Sequence, residues 1–206
     1  MSFYQKHIMP KFVNLACSTG QMKKVRSKTV PLAKGKILEI GFGSGHNLPF
    51  YEAGQVEQFL ALEPDPQMRK LAEARMREVE FDCETLGLEA ESIPLDDASM
   101  DTVVVTFTLC TIPQVKQALG EMRRVIKPGG QLIFAEHGQA PDAGVAKWQA
   151  RIEPLWKPLG GGCHLTRKPV ELIRGNGFEI QDLTADYLPK APRFAGYVSY
   201  GTAKPV

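Results

Sequence analysis

Long apolar runs are missing from this chain. No stretch approaches the roughly 20 residues that a bilayer-spanning helix needs. Met1 to Pro10 mix polar and basic groups among apolar ones, unlike a signal peptide. A charge excess is missing too: 25 Lys and Arg against 23 Asp and Glu leave a net +2. That balance offers no basic stripe to a nucleic-acid backbone and no preference for acidic partners. Cysteine is scarce. The four present, Cys17, Cys83, Cys110 and Cys163, lie far apart with no C-x-x-C pair. Such spacing predicts neither a zinc site nor a disulfide framework, and it fits a reduced, cytoplasmic setting. Repeats and low-complexity tracts are absent. What remains is 206 residues, enough for one compact domain with a full core.

Apolar runs alternate with helix-period segments through most of that length, the pattern of an α/β domain with a parallel sheet. Candidate strands are 36–40, 58–63, 81–86, 102–107, 131–136, 178–184 and 197–202. In 66–79 the apolar residues Met68, Leu71, Ala72, Met76 and Val79 share one helical face. In 114–126 Val115, Ala118, Leu119, Met122 and Val125 do the same, and Lys127-Pro128-Gly129-Gly130 stops the helix. A short helix over 169–174 ends at Gly175-Asn176-Gly177. Two segments fall outside the alternation. Residues 1–35 predict one or two helices packed on the front of the domain, with Lys23, Lys24, Arg26 and Lys28 on a solvated face. Residues 138–168, rich in Gly, Pro and Trp, read as an insertion after the fifth strand.

The most informative segment is Ile37-Leu38-Glu39-Ile40-Gly41-Phe42-Gly43-Ser44-Gly45. A strand carrying an acid runs into glycines at every second position. Without Cβ atoms, Gly41, Gly43 and Gly45 can take positive φ and let a ligand lie against bare backbone. Residues 46–51 are expected to open a helix whose free N–H groups face that ligand. Glu39 favours a cationic amino-acid moiety over a pyrophosphate. Ligands of open α/β sheets bind at the carboxyl ends of the strands. The second strand ends there at Glu63, 22 residues after Gly41, a spacing suited to a carboxylate that holds two ribose hydroxyls. The segment Glu89-Ala90-Glu91 follows the third strand, and the fifth ends at Glu136-His137. A nicotinamide-dependent oxidoreductase would instead want G-x-G-x-x-G, and a non-catalytic cofactor-binding partner would lack an acceptor pocket.

Four stretches, ILEIGFGSG, LALEPDPQM, EAESIPLDDASMDTVVVTFTLCTIP and ALGEMRRVIKPGGQLIF, resemble the class I S-adenosylmethionine-dependent methyltransferases of the type 11 group. The resemblance implies a Rossmann-like, seven-stranded, mostly parallel sheet with helices on both faces and its last strand antiparallel. It implies S-adenosyl-L-methionine as cofactor. Glu39, Gly41, Gly43 and Gly45 would hold its methionine part, and Glu63 its ribose. Pro64 and Met68 would line sugar and adenine, Glu89 and Ala90 would frame the adenine, and Thr106 would sit behind the sulfonium. Glu89 departs from the commoner aspartate. AEHG at 135–138, a tryptophan-containing helix and GGCHLTR at 161–167 are similar to the alkyl-thiol methyltransferase-like proteins. Eukaryotic members of that group carry an apolar N-terminal anchor, a run not found in these 206 residues.

Methyl transfer from a sulfonium is an in-line displacement that asks the protein to align the reactants and exclude water. No metal is expected. A small thiol, with an ordinary pKa near 8.5, needs modest help to ionise; an amine must first lose a proton, for which a histidine is suited. Quinones and phospholipid headgroups are alternative acceptors. Candidate acceptor-side residues are His137, His164, Tyr4 and His7, with Trp156 in the pocket wall. Cys110 reads as a buried small hydrophobe, and a three-thiol cluster of Cys17, Cys110 and Cys163 would require both flanking segments to fold over the site.

Overall fold

The computed structural model describes residues 8–206. Seven strands, β1 Gly35–Ile40, β2 Val56–Leu62, β3 Cys83–Leu86, β4 Met100–Thr106, β5 Ile126–His137, β6 Phe178–Tyr187 and β7 Tyr197–Pro205, form one sheet in the order β3-β2-β1-β4-β5-β7-β6. Strands β1 to β5 pair in parallel, and β7 runs antiparallel between β5 and β6. This is the expected Rossmann-like, mostly parallel sheet. The order reverses at β1 and β4, so the crevice beyond their carboxyl ends is where a ligand fits.

Side chains alternate across the sheet because the strand period is two. Leu38 and Ile40 of β1 face a core completed by Leu119, Met122 and Val125 of α4 (Val115–Val125) and Ile173 of α6 (Pro169–Arg174). Ile37 faces the other core, with Phe59, Val104, Ile133, Tyr51 and Ala72 of α3 (Pro66–Met76). Glu39 therefore points to the same side as Ile37. The apolar stripe predicted for α4 is buried along its length. In α3 Met68 and Ala72 are buried, while Leu71, at the edge of the stripe, is exposed.

Two expectations change. Residues 46–51 form no α-helix: Leu48–Phe50 make a single 3-10 turn and Tyr51 returns to extended backbone, which sends its ring inward. Residues 127–130 belong to the start of β5 rather than to a terminating loop, with positive φ at Gly129. Residues 138–168, which follow β5, contain the tryptophan-bearing helix, α5 Ala143–Leu159, with Pro154 and Pro158 within it. Before the sheet come α1 Met9–Cys17 and α2 Gly20–Thr29, and a one-turn α7, Arg193–Gly196, precedes β7.

Asp101 ties the opposite edge of the sheet. Its carboxylate accepts from Lys36 N at 2.9 Å and from Lys127 Nζ at 2.8 Å, joining the starts of β1, β4 and β5. A Cβ on Gly35 would come within 2.7 Å of it. The acid at the entrance to β4 thus serves the sheet and stands away from the ligand edge.

Leu119 is fully buried in the larger core. Leu119→Ala should lower unfolding stability by about 3 kcal/mol, read from the denaturant midpoint at unchanged slope.

Candidate active site

A cavity of about 330 Å³ opens at the carboxyl ends of β1, β2 and β4. Its floor is the glycine loop. Gly41, Gly43 and Gly45 all take positive φ, at 68°, 58° and 77°, but for different reasons. A Cβ on Gly41 would collide with Thr108 at 2.2 Å, and one on Gly45 would press on Leu48 and Phe42 at 3.1 and 3.2 Å. Only at Gly43 is the neighbourhood open, with Met68 Cε at 3.4 Å. Gly41 and Gly43 line the cavity; Gly45 shapes the turn behind it.

Glu39 stands at the inner end, 2% exposed. Its Oε1 accepts from Asn47 Nδ2 at 3.0 Å and its Oε2 from the Tyr51 hydroxyl at 2.7 Å. Arg26 donates through Nε to Asn47 Oδ1 at 2.9 Å. Asn47 Nδ2 also donates to Thr106 Oγ1 at 3.0 Å, which links the loop to β4. Burial pushes the Glu39 carboxyl up to about 8 despite these partners.

Glu63 stands at the other end, beyond β2. Its Oε2 accepts from Gly43 N at 2.8 Å and its Oε1 from Asp65 N at 2.9 Å. Burial raises its pKa. Asp65 caps α3 by accepting from Gln67 N at 2.7 Å, and Arg69 donates to the Glu63 carbonyl at 2.5 Å. The two acids and the Gly43 amide thus span the cavity. Pro64, Met68, Glu89, Ala90 and Thr106 line it with them, Glu89 from an exposed position.

The rest of the cavity wall is largely apolar. Met9, Pro10 and Val13 of α1, Phe107, Ile112 and the backbone of Gly160 and Gly161 form it. Phe107 adopts φ 55°, rare for a bulky side chain, and holds its ring 5.1 Å from the Arg26 guanidinium. Such strain costs about 1–3 kcal/mol and is typically kept where the surroundings over-determine it. Here Phe107 N donates to Ala135 O at 2.7 Å, and Thr108 N donates to Glu136 Oε1 at 2.8 Å.

The expected acceptor-side residues do not all meet here. Tyr4 and His7 lie outside the described residues. His137 and His164 do not line the cavity. The His137 Nε2 lies 3.2 Å from Cys163 Sγ, and His164 Nδ1 is 3.0 Å from Glu153 Oε1. The Cys110 thiol donates to Phe107 O at 3.9 Å; the neighbouring Cys110 and His137 hold the Cys163 thiol below its ordinary range. Trp156 also donates to Cys163 Sγ and stays outside the cavity wall.

Sequence reasoning passed over Arg26, Asn47, Tyr51 and His46. Arg26 is not on a solvated face: it is 3% exposed and lines the cavity. His46 also lines it, with Nε2 donating to Asn14 O at 3.1 Å. Burial and neighbouring cations push that imidazole down to about 4, so it is neutral at physiological pH. A usable signal existed for Asn47 and Tyr51: both follow the glycine loop closely and are polar in a segment that otherwise packs inward.

The model of the Methyltransferase domain family matches residues 38–134. The chain is 35% identical over 169 residues to the thiol S-methyltransferase TMT1B of Rattus norvegicus, covering 78% of this chain and 68% of that protein. It is 30% identical over 126 residues to a phosphatidylethanolamine N-methyltransferase of Cereibacter sphaeroides, 58% of this chain and 60% of that one. In fold it is similar to a crystal structure from Thermotoga maritima described as a SAM-dependent methyltransferase, possible histamine N-methyltransferase. The TM-score is 0.65 at 20% identity, over 97% of this chain and 99% of that one. None of these three is a nicotinamide-dependent oxidoreductase. The chain belongs to the class I S-adenosylmethionine-dependent methyltransferases, within the methyltransferase-domain family that its central strands match.

Proposed function

We propose that the protein transfers the methyl group of S-adenosyl-L-methionine to a small, partly apolar thiol. The observation that carries this reading is the cavity itself: two buried carboxyls at its ends, the bare Gly43 backbone between them and an apolar wall on the open side. The residues present fit the cofactor. Glu39 suits its ammonium-bearing end, and Glu63 suits its ribose. Gly43 and Met68 leave room for the sugar, and Glu89, Ala90 and Pro64 border the adenine space. When bound, the cofactor supplies an electrophilic methyl on a cationic sulfur.

The chain's own task is then alignment and exclusion of water. Thr106 and Asn47 fix the inner end through their shared hydrogen bond. Phe107, Ile112 and Val13 shield the reacting centre from water. His46 is a neutral ring in the wall; Tyr4 and His7 remain acceptor-side candidates, whereas His137 and His164 do not line the cavity and are given no part in the transfer. A thiol is favoured over an amine because none of these is required to strip a proton from it: a thiol of pKa near 8.5 ionises appreciably on its own. The thiol S-methyltransferase similarity over most of the chain supports the same choice. Quinone and phospholipid headgroup acceptors are the second reading, favoured by the phosphatidylethanolamine N-methyltransferase similarity. The near-neutral charge argues against nucleic acid as substrate. Four free cysteines fit a reducing, cytoplasmic setting; no helix among the described residues is long and apolar enough to cross a membrane.

Three outcomes are expected. A screen that counts S-adenosylhomocysteine formed with thiols, amines, phenols, quinols and phosphatidylethanolamine should find turnover with alkyl or aryl thiols; turnover confined to another class overturns the assignment. Gly43→Val should reduce S-adenosylhomocysteine affinity by at least 100-fold in calorimetry while leaving the far-ultraviolet circular dichroism intact. Glu39 supplies a pH dependence. Its folded pKa of about 8 lies above the ordinary 4.5, so the ligand-free protein holds this proton up to about pH 8. An ammonium brought against the carboxyl favours the ionised form, so binding releases up to one proton and affinity rises with pH towards 8. Glu39→Gln should weaken binding about tenfold and flatten that pH dependence. Proton release is read from binding enthalpies in buffers of different ionisation enthalpy.

A further inference from the structure

Three groups that the methyl-transfer site does not use converge behind its wall. Cys110 lies in the turn after β4, His137 ends β5, and Cys163 lies in the loop after α5. Their donor atoms, two sulfurs and an imidazole nitrogen, all fall within 4.8 Å of one another. We propose that Cys110, His137 and Cys163 bind a thiophilic divalent cation of the zinc class, which pins the 160–165 segment to the ends of β4 and β5.

The donor set is the first argument. Two thiolates and a neutral imidazole are a common zinc combination, with a fourth position left for water or another soft donor. Their summed charge cancels that of the cation, so the filled site carries no net charge into an apolar surround of Leu165, Ile152 and Phe194. The geometry is the second. Tetrahedral bonds of about 2.3 Å to sulfur and 2.0–2.1 Å to nitrogen set donor separations of roughly 3.8 and 3.6 Å. The Cys163 Sγ to His137 Nε2 distance is 3.2 Å, so that pair must part by only a few tenths of an ångström, and Cys110 Sγ lies within 4.8 Å of both.

The surroundings supply the third argument. Trp156 Nε1 donates to Cys163 Sγ at 3.2 Å, the kind of outer contact that orients a metal thiolate. His164 N donates to Cys110 O at 2.9 Å, so the two cysteine segments are already joined. His137 Nδ1 and Glu136 Oε2 are buried without a hydrogen-bond partner among the described residues. Buried polar atoms in native proteins are rarely left so, and a cation on Nε2 would fix the ring proton of His137 on Nδ1. Cys17 is not part of the group, so the three-thiol cluster weighed from the sequence gives way to two thiols and a histidine. No sequence rule would find it, because its members are 27 and 26 residues apart and come from three elements. Gly160 and Gly161 line the cavity from the segment that the cation would hold, which connects this site to the acceptor wall without placing it on the reaction path.

The test uses the full reduced chain and does not depend on methyl transfer. One equivalent of Co²⁺ should give an intense near-ultraviolet thiolate charge-transfer band with tetrahedral visible bands, and Zn²⁺ should abolish them by competition. Zinc should bind at one per chain and raise the melting temperature, and a chelator should reverse the rise. Cys163→Ser, Cys110→Ser and His137→Gln should each weaken Zn²⁺ at least tenfold, while Cys17→Ser leaves it unchanged. Cobalt binding with no thiolate band, or zinc affinity that survives all three substitutions, overturns the proposal. Should a cysteine variant not fold, His137→Gln and the wild-type cobalt spectrum decide the question. Failure here would leave the methyl-transfer reading intact, since that rests on the other side of the wall.

Discussion

Burying a carboxyl at the end of a central strand costs several kcal/mol unless hydrogen bonds satisfy its oxygens. Glu39 is that carboxyl, and much of the cavity's shape follows from the way it is satisfied. Asn47 and Tyr51 must reach back to it from the segment after β1. To do so the chain has to reverse within a few residues, which positive φ at Gly41, Gly43 and Gly45 allows. The same reversal leaves the Gly43 amide against Glu63, so the two acids are coupled through one loop. Arg26 completes the arrangement from α2, where its guanidinium favours the ionised Glu39 against the burial that raises its pKa.

A second buried acid performs a similar task one strand away. Glu136, at the end of β5, accepts from Thr108 N, and burial raises its carboxyl to about 7. The chain after β4 is therefore held between two buried carboxyls, Glu39 through Asn47 and Thr106 on one side and Glu136, through its Oε1, on the other. That restraint explains how Phe107 can remain at positive φ with its ring against Arg26. Rigid placement of this turn matters for a displacement reaction, which depends on the alignment of reacting atoms more than on stabilising new charge. The apolar part of the wall comes largely from α1 and from the loop after α5, elements added to the sheet rather than part of its alternation.

Much of the fold could be read from period alone. Strands of alternating or continuous apolar residues and the α4 stripe gave seven strands and their parallel character, with ends displaced by a few residues. The starts of β2 and β3 and the origin of β5 shifted because pairing with a neighbour, not local propensity, decides where a strand begins. The helix expected after the glycine loop did not form, since Tyr51 is needed inward at Glu39. Of the site, Glu39 and Glu63 could be placed at the cavity from their positions on strand ends, while Met68, Ala90 and Thr106 were implied only by the family resemblance. Arg26 could not. In a run of basic residues a buried arginine looks like its solvated neighbours, and only the packing of α2 on the sheet separates them.

The sequence by itself determined the layered α/β class, the bend after Ile40 and the presence of acids on two adjacent strand ends. Those properties are local: they depend on side-chain period, on the missing Cβ of glycine and on spacing along one or two elements. Tertiary structure alone decided which polar groups meet. It drew Arg26 to Asn47, turned His137 away from the cavity towards Cys163, and brought Cys110 alongside them. The physical reason is that a contact between residues far apart in the chain is set by how helices and strands pack, and no local pattern in the sequence encodes that separation.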